Sequence, residues 1–390
     1  MVRKKYFTFI LVILLMACSG SNKEHSEEVR IDLDSALARK EQPQEGDIEE
    51  LLGGSIELVA YEDENTSFTP TFVTHNNKIF GSLGRPELYT DMTFAYYDLD
   101  TSEYVLIKKA KGNKMFASVD ALAANDDAVV FFENNQEGND GFVEIYLYTF
   151  ADEKLELIHT IERHYPFYKL GAEFVGDDIY FCASEDDQDM ENIEEYSSLY
   201  CYNMKSKEKE KIRKSTNLLK KHNDYLYYIA PTQKTNTLMR YNTKTKKEME
   251  LLECTNGKEH IFGYTLTDDE LIFLISYPIT DEISDFKSYR YNFESKELEE
   301  FVSEKYMEVM QTNDYNYLGY SVLDDRFPRG KKYLYDLDNN INYNYEHGPL
   351  TLAQDSILWT RFNTDYRDIP KFEVYAKGNT TLMYKKIEGK

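Results

Sequence analysis

Polar turns built from Asn or Asp punctuate this chain, and each is followed at once by a run of apolar and aromatic residues. The turns are Asn76-Asn77, Asp126-Asp127, Asp177-Asp178, Asn223-Asp224, Asp268-Asp269, Asn313-Asp314 and Gln354-Asp355, leading into runs such as Val129 to Phe132 and Leu271 to Ile275. From Asn77 to Asp355 the steps are 50, 51, 46, 45, 45 and 41 residues. A recurring step of this size is the signature of a repeat architecture. Asn and Asp tolerate left-handed backbone and suit the tight turns of antiparallel hairpins.

Each repeat reads as four strands. An apolar segment precedes the turn, the apolar run follows it, and a third strand ends on Tyr, as at Tyr97, Tyr148, Tyr202, Tyr241, Tyr291, Tyr335 and Tyr375. A more polar fourth strand closes the unit, as in Glu248-Met249-Glu250-Leu251-Leu252. The run after the turn is apolar on consecutive positions. A strand with one wet face would alternate, so both its faces are covered. Sheets stacked between neighbouring sheets meet that condition, as in the blades of a propeller. The pattern predicts an all-β fold, a seven-bladed β-propeller of four-stranded antiparallel blades, with six or eight blades as the alternatives. Ring closure reads two ways: Ser55 to Tyr61 and Thr380 to Lys386 both resemble the last blade's outer strand, and Glu373 to Ala376 resembles its third.

Composition fits this reading. Aromatic residues are 14% of the chain, with 33 Tyr, which suits wedge-shaped blades that need bulky filler. The plainer reading of these tyrosines is packing.

The N-terminus has a different pattern. Met-Val-Arg-Lys-Lys precedes an apolar run from Tyr6 to Ala17, and Cys18 follows. A basic start, a short apolar core and a small residue before the cut are the marks of a secretory signal, and the run is too short to span a bilayer. Leu15-Met16-Ala17-Cys18 resembles the bacterial lipobox, with Met16 the less usual choice. The expected organisation is a signal peptide over 1–17, an acylated Cys18 with a flexible tether over 18–54, and the propeller over 55–390. A coil of that length would reach ~30 Å. Short helical turns are expected at Asp34 to Arg39 and Asp47 to Leu52. The chain is thus expected in a bacterial envelope, extracytoplasmic, periplasmic or surface-exposed, with acyl chains on Cys18 holding it to a membrane.

The formal charge is −25, and cleavage removing Arg3, Lys4 and Lys5 and no acid takes it to −28. That balance argues against a nucleic-acid partner, whose phosphates need basic clusters. Of the other cysteines, Cys182 and Cys201 fall on neighbouring strands of one repeat, where a disulfide would need matching register. Buried free thiols are the default reading.

Chemistry-bearing motifs are sparse. The seven histidines are dispersed, and no phosphate loop, nucleophile elbow or dinucleotide fingerprint occurs. No metal and no cofactor are expected, and no catalytic residue is assigned. The acidic loop Glu185 to Glu195 lacks the glycine and closing glutamate of the known calcium loop. The lead lies in the connections between second and third strands, because function concentrates in loops held by a rigid scaffold. Five of the twelve arginines, Arg85, Arg326, Arg329, Arg361 and Arg367, sit in or beside these connections in repeats one, six and seven, which a closed ring makes neighbours. Phe327, Tyr366, Tyr89, Pro328 and Phe362 accompany them. Arg forks recognise carboxylates and aromatic rings stack on sugars, so this arc is the candidate site for an anionic ligand or partner, either protein or glycan. The plainer reading pairs these arginines with Asp324, Asp325, Asp365 and Asp368.

Strands such as Asp224-Tyr225-Leu226-Tyr227-Tyr228-Ile229 and Leu238-Met239-Arg240-Tyr241-Asn242 resemble bacterial propeller domains of the TolB-like type, over roughly residues 55 to 390. With the lipobox, the chain looks like a propeller lipoprotein of the bacterial envelope. That resemblance implies fold and carries over no catalytic residue. The leading expectation is a tethered binding or scaffold module. A propeller-type carbohydrate-active enzyme and a structural subunit of an envelope assembly complex are the alternatives.

Overall fold

A computed structural model describes residues 30–387, apart from 39–41, 63–65, 86–89, 112–117, 138–139, 163–169, 185–196, 233, 256, 279–283, 306, 313–315, 325–326, 346–349, 354 and 364–379. Two short strands come first, β1 (Gln44–Gly46) and β2 (Ile56–Glu57). Blade 1 is β3 to β6 (Ser67–His75, Lys78–Arg85, Thr90–Asp98, Glu103–Lys109). Blade 2 is β7 to β10 (Ser118–Ala124, Ala128–Glu137, Asp140–Thr149, Lys154–Glu162). Blade 3 is β11 to β14 (Gly171–Val175, Asp178–Ser184, Ser197–Asn203, Lys209–Lys214). Blade 4 is β15 to β18 (Asn217–His222, Tyr225–Pro231, Thr235–Asn242, Glu248–Thr255). Blade 5 is β19 to β22 (His260–Leu266, Glu270–Pro278, Ser284–Asn292, Leu298–Lys305). Blade 6 is β23 to β26 (Met307–Thr312, Tyr317–Asp324, Phe327–Asp336, Ile341–Tyr345), with β1 added parallel to its outer edge. Blade 7 is β27 to β29 (Leu350–Ala353, Ser356–Phe362, Thr380–Lys386), and β2 is its fourth strand. The fold is therefore the expected seven-bladed propeller. The first strands of successive blades touch around the whole circle, β27 returning to β3.

The second strands are buried on both faces, as their unbroken apolarity requires. Val129, Val130 and Phe131 are wholly inaccessible, and so are Leu271, Ile272 and Phe273. Aromatic rings fill the wedges between blades: Phe94 of blade 1 stacks on Phe131 of blade 2 with centroids 4.0 Å apart. Leu58, Ile79, Tyr97, Ala353, Leu358 and Tyr384 pack together to close blade 7 onto blade 1.

One hydrogen bond repeats in every blade. The residue after the third strand donates its N–H to the carbonyl of the Asn/Asp turn, from Leu99 to Asn77, Phe150 to Asp127, Met204 to Asp177, Thr243 to Asp224, Phe293 to Asp269, Leu337 to Asn316 and Ile387 to Asp355, all at 2.8–2.9 Å. The equivalent turn residues in repeats three and six are therefore Asp177 and Asn316. Third strands end on a buried Tyr in blades 1 to 6 (Tyr97, Tyr148, Tyr202, Tyr241, Tyr291, Tyr335). The Asn or Asp that follows can then cap the next turn. Asn242 Oδ1 accepts from the backbone N–H of Lys244 at 3.0 Å and of Thr245 at 2.7 Å.

Blade 7 departs from the expected reading. Its third strand is Thr380–Lys386, with Lys385 opposite Ile357 where the other blades place Tyr. Glu373 to Ala376 lies outside the described residues. The outer strand is the short pairing of Ile56 with Tyr384 and Glu57 with Met383. The cysteine pairing is not made either: Cys182 lies opposite Leu199 and Cys201 opposite Tyr180, a diagonal offset, and both thiols are free and buried. Diagonal cross-strand neighbours sit ~7–8 Å apart, beyond disulfide reach. Burial pushes the Cys201 thiol up to about 11 and the Cys254 thiol up to about 12.

From Asp32 on, the segment expected as a tether runs along the outer rim. Leu37 exchanges backbone hydrogen bonds with Leu298 and Glu300 on blade 5, at 2.9 and 2.8 Å. β1 then joins blade 6, and β2 joins blade 7. Asp47 caps a short helix over Ile48–Leu52, as expected, whereas the turn expected over Asp34 to Arg39 is a 3-10 turn over Leu33–Ser35 capped by Asp32, and Leu37 beyond it bridges to blade 5. Among the described residues, no helix is long and apolar enough to cross a membrane.

Candidate functional site

Antiparallel blades put the Asn/Asp turns and the turns after the third strands at one end of the ring. The neighbouring turns meet there: His75 Nε2 and Asp126 Oδ1 are 2.7 Å apart, and Thr74 Oγ1 donates to Asp355 Oδ1 at 3.4 Å. These turns are short and alike. The other end carries connections of very unequal length. Between second and third strands they run from 138–139 in blade 2 and 325–326 in blade 6 to 185–196 in blade 3 and 363–379 in blade 7.

The candidate arginines belong to this variable end. Arg85 closes β4 and pairs with Thr90 across the blade 1 connection. Phe327 and Arg329 lie at the start of β25, and Arg361 lies near the end of β28. Blades 6, 7 and 1 are consecutive in the ring and pack on one another. Only the Arg361 side chain is described. It is exposed, and its Nη2 is 3.2 Å from Glu57 Oε2 on β2, the outer strand of the blade, while Asp365 and Asp368 lie outside the described residues. Arg326, Arg367 and Tyr366, with the acidic loop from Glu185 to Glu195, lie outside the described residues.

Three groups of ionisable side chains were not anticipated. The first lies between blades 1 and 2. Glu133 and Glu144 face each other on β8 and β9. Lys108 Nζ bonds Glu133, the Lys111 backbone N–H donates to Glu133 Oε1 at 2.5 Å, and Lys111 Nζ reaches both Glu144 oxygens at 2.6 Å. Lys108 also lies 4.6 Å from the Tyr146 ring centre. Glu133 is wholly buried. The available signal was an acid placed directly after the apolar run Val129 to Phe132. The second group lines the inner strands: desolvation raises the Asp120 carboxyl to about 6, while it lowers Lys220, near Glu173. The third lies between blades 4 and 5, around Arg240. Its guanidinium lies 4.8 Å from the Tyr225 ring centre, and its Nη2 is 3.1 Å from Met249 Sδ. Beside it, His222 stacks on Phe293 with centroids 5.0 Å apart, and desolvation lowers the His222 imidazole. Among the described residues, no cluster of three or more His, Cys, Asp or Glu could hold a metal ion.

No family model matches the chain, and no curated protein matches its sequence. Solved structures do resemble it. A prolyl endopeptidase is 10% identical with a TM-score of 0.52, over 78% of this chain and 48% of that one, so this chain spans about half of that enzyme. An oligogalacturonate lyase in complex with manganese is 12% identical with a TM-score of 0.49, over 86% of this chain and 98% of that one. The β-propeller domain of the trilobed protease from Pyrococcus furiosus, described as having an open velcro topology, is 12% identical with a TM-score of 0.46, over 70% and 86%. At 10% identity the likeness to the prolyl endopeptidase speaks for the fold alone.

Proposed function

We propose that this protein is a binding module of the bacterial envelope, held to a membrane by acyl chains on Cys18 and offering its variable loop end to a protein or glycan ligand. The observation that carries the reading is the asymmetry of the ring: one end is built of short, uniform turns, and the other carries connections of very unequal length. A scaffold that fixes its frame and varies one end is arranged for recognition. Within that end, the arc of Arg85, Arg326, Arg329, Arg361 and Arg367 with Phe327 and Tyr366 suits an anionic group, through planar forks and stacking rings. The adjacent acids Glu133 and Glu144 lend no support to a hydrolytic enzyme, because both are buried and occupied by lysines.

Two measurements test it. Labelling with an alkyne-tagged palmitate analogue reads the anchor: the native chain takes up label and partitions with membranes, and Cys18→Ser does neither. Reversing Arg326 and Arg361 to Glu, then capturing the ligand from the native envelope, reads the arc. Undiminished capture would end the assignment of that arc.

A further inference from the structure

Blade 5 supplies an internal control for blade 4. In blade 5, Arg290 lies opposite Ile272, and Glu270, two residues before Ile272, gives it a carboxylate at 2.6 Å. In blade 4, Arg240 lies opposite Tyr227, and the residue two before Tyr227 is Tyr225. The acid that neutralises Arg290 is thus replaced by an aromatic ring beneath Arg240. Three other arginines hold carboxylates: Arg213 pairs with Glu248 at 2.6 Å, Arg290 with Glu270 at 2.6 Å and Arg361 with Glu57 at 3.2 Å. Arg240 pairs with none among the described residues.

The surroundings hold further polar groups. Arg240 Nε is buried and makes no hydrogen bond, and the Tyr291 hydroxyl on the facing blade is also buried and makes none. Tyr291 is 95% removed from solvent, being 5% exposed. Burial raises the Tyr227 and Tyr291 hydroxyls and the nearby Arg240 charge pulls both back down, with Tyr227 also hydrogen-bonded to Arg240. Leaving a buried donor unmet is expensive. Tyr225 and Arg240 are both partly exposed, so solvent reaches this part of the interface between blades 4 and 5.

We propose that the interface between blades 4 and 5 binds a small oxyanion, held by the Arg240 guanidinium with the Tyr291 hydroxyl. A planar carboxylate or a tetrahedral phosphate would satisfy the same donors. The site stands apart from the arginine arc of blades 6, 7 and 1, and on the other end of the ring.

The test is thermal unfolding of the full chain at pH 7.5 and constant ionic strength, in rising sodium acetate and, separately, rising inorganic phosphate. The native chain shows a logarithmic rise of about 2 °C for each tenfold of the bound anion above its dissociation constant. The acetate and phosphate arms tell the two anion shapes apart. Arg240→Met loses the response. Tyr225→Glu, which installs the carboxylate that blade 5 already has, also loses it while keeping the cation and the fold. Equal responses in the native chain and both variants would be general salt effects and overturn the proposal. Absence of response to either anion in the native chain overturns it too, leaving water as the occupant.

Discussion

Replacing Lys108 with Met tests how far the blade 1–2 interface depends on buried charge. Lys108 is 10% exposed and Glu133 not at all, and the pair bridges the outer strand of one blade to the second strand of the next. Met keeps most of the side-chain volume and removes the cation. Glu133 then retains the Lys111 backbone N–H and loses the only counterion in direct contact with it among the described residues. Breaking one side of a buried pair costs about 3–5 kcal/mol, because the remaining charge stays desolvated. A ring of this size has an unfolding entropy of roughly 0.7 kcal/mol/K, so the melting temperature should fall by about 4–7 °C. The double variant Lys108→Met, Glu133→Leu removes both charges together. It should regain most of the loss, since replacing both partners by apolar groups of similar volume is close to neutral. Chemical denaturation of the four proteins of this cycle measures the coupling, with coincident fluorescence and circular-dichroism transitions as the check on two-state behaviour. A loss below about 1 kcal/mol for Lys108→Met, or simple additivity across the cycle, would show that water already reaches Glu133 and would refute the reasoning.

Asp120→Asn should stabilise the protein at pH 7.5 by up to ~3 kcal/mol, since burial raises this carboxyl from 3.8 to about 6. The folded state binds that proton more tightly than the unfolded chain, so native stability falls as pH rises from about 4 to 6; the gain in the variant should therefore vanish near pH 4, and a pH-independent difference counts against the cause. Gly46→Leu should unseat β1, because even a Cβ there would come within 2.3 Å of Tyr343 Cε1. Faster proteolytic cutting within 42–47 with a nearly unchanged melting temperature is the expected result, and an unchanged cutting rate speaks against a seated strap. Asn242→Ala removes the acceptor for two turn N–H groups and should cost about 1–2 kcal/mol in urea unfolding, with Asn242→Asp close to neutral.

The frame of the ring was legible because its signals are local. A turn residue and the apolar run beside it sit within five positions, and they recur. Blade 7 broke the reading where the local signal broke: Lys385 replaces the Tyr that ends the other third strands, and its Nζ turns to the Gly53 carbonyl on the incoming N-terminal segment. A tyrosine further upstream, Tyr375, therefore looked like the better match. The buried charges were hidden for the opposite reason. Glu133 stands out against its apolar neighbours, but its partner lies 25 residues earlier on another blade, and nothing local says which lysine returns to it. The contrast between Glu270 and Tyr225 likewise appears only when strand register aligns Arg290 with Arg240.

Closure of the ring follows from how little each contact at the joint does alone. β2 offers two ladder pairs, and both of its residues are exposed. The buried element there is Leu58, the next residue, which packs among Tyr97, Tyr384 and Leu358 while its N–H donates to Leu382 at 3.0 Å. Tyr104 then donates to the Val59 carbonyl at 2.7 Å, carrying the joint onto the outer strand of blade 1. Upstream, the same segment is already held at Leu37 on blade 5 and at Gln44–Gly46 on blade 6. If the two-residue strand frays, the segment that supplies it cannot diffuse away, so its effective concentration at the blade 7 edge stays high. A short closing strand is enough because the strap keeps re-presenting it. The blade 7 loops beside the joint can then stay long without loosening the ring that positions them.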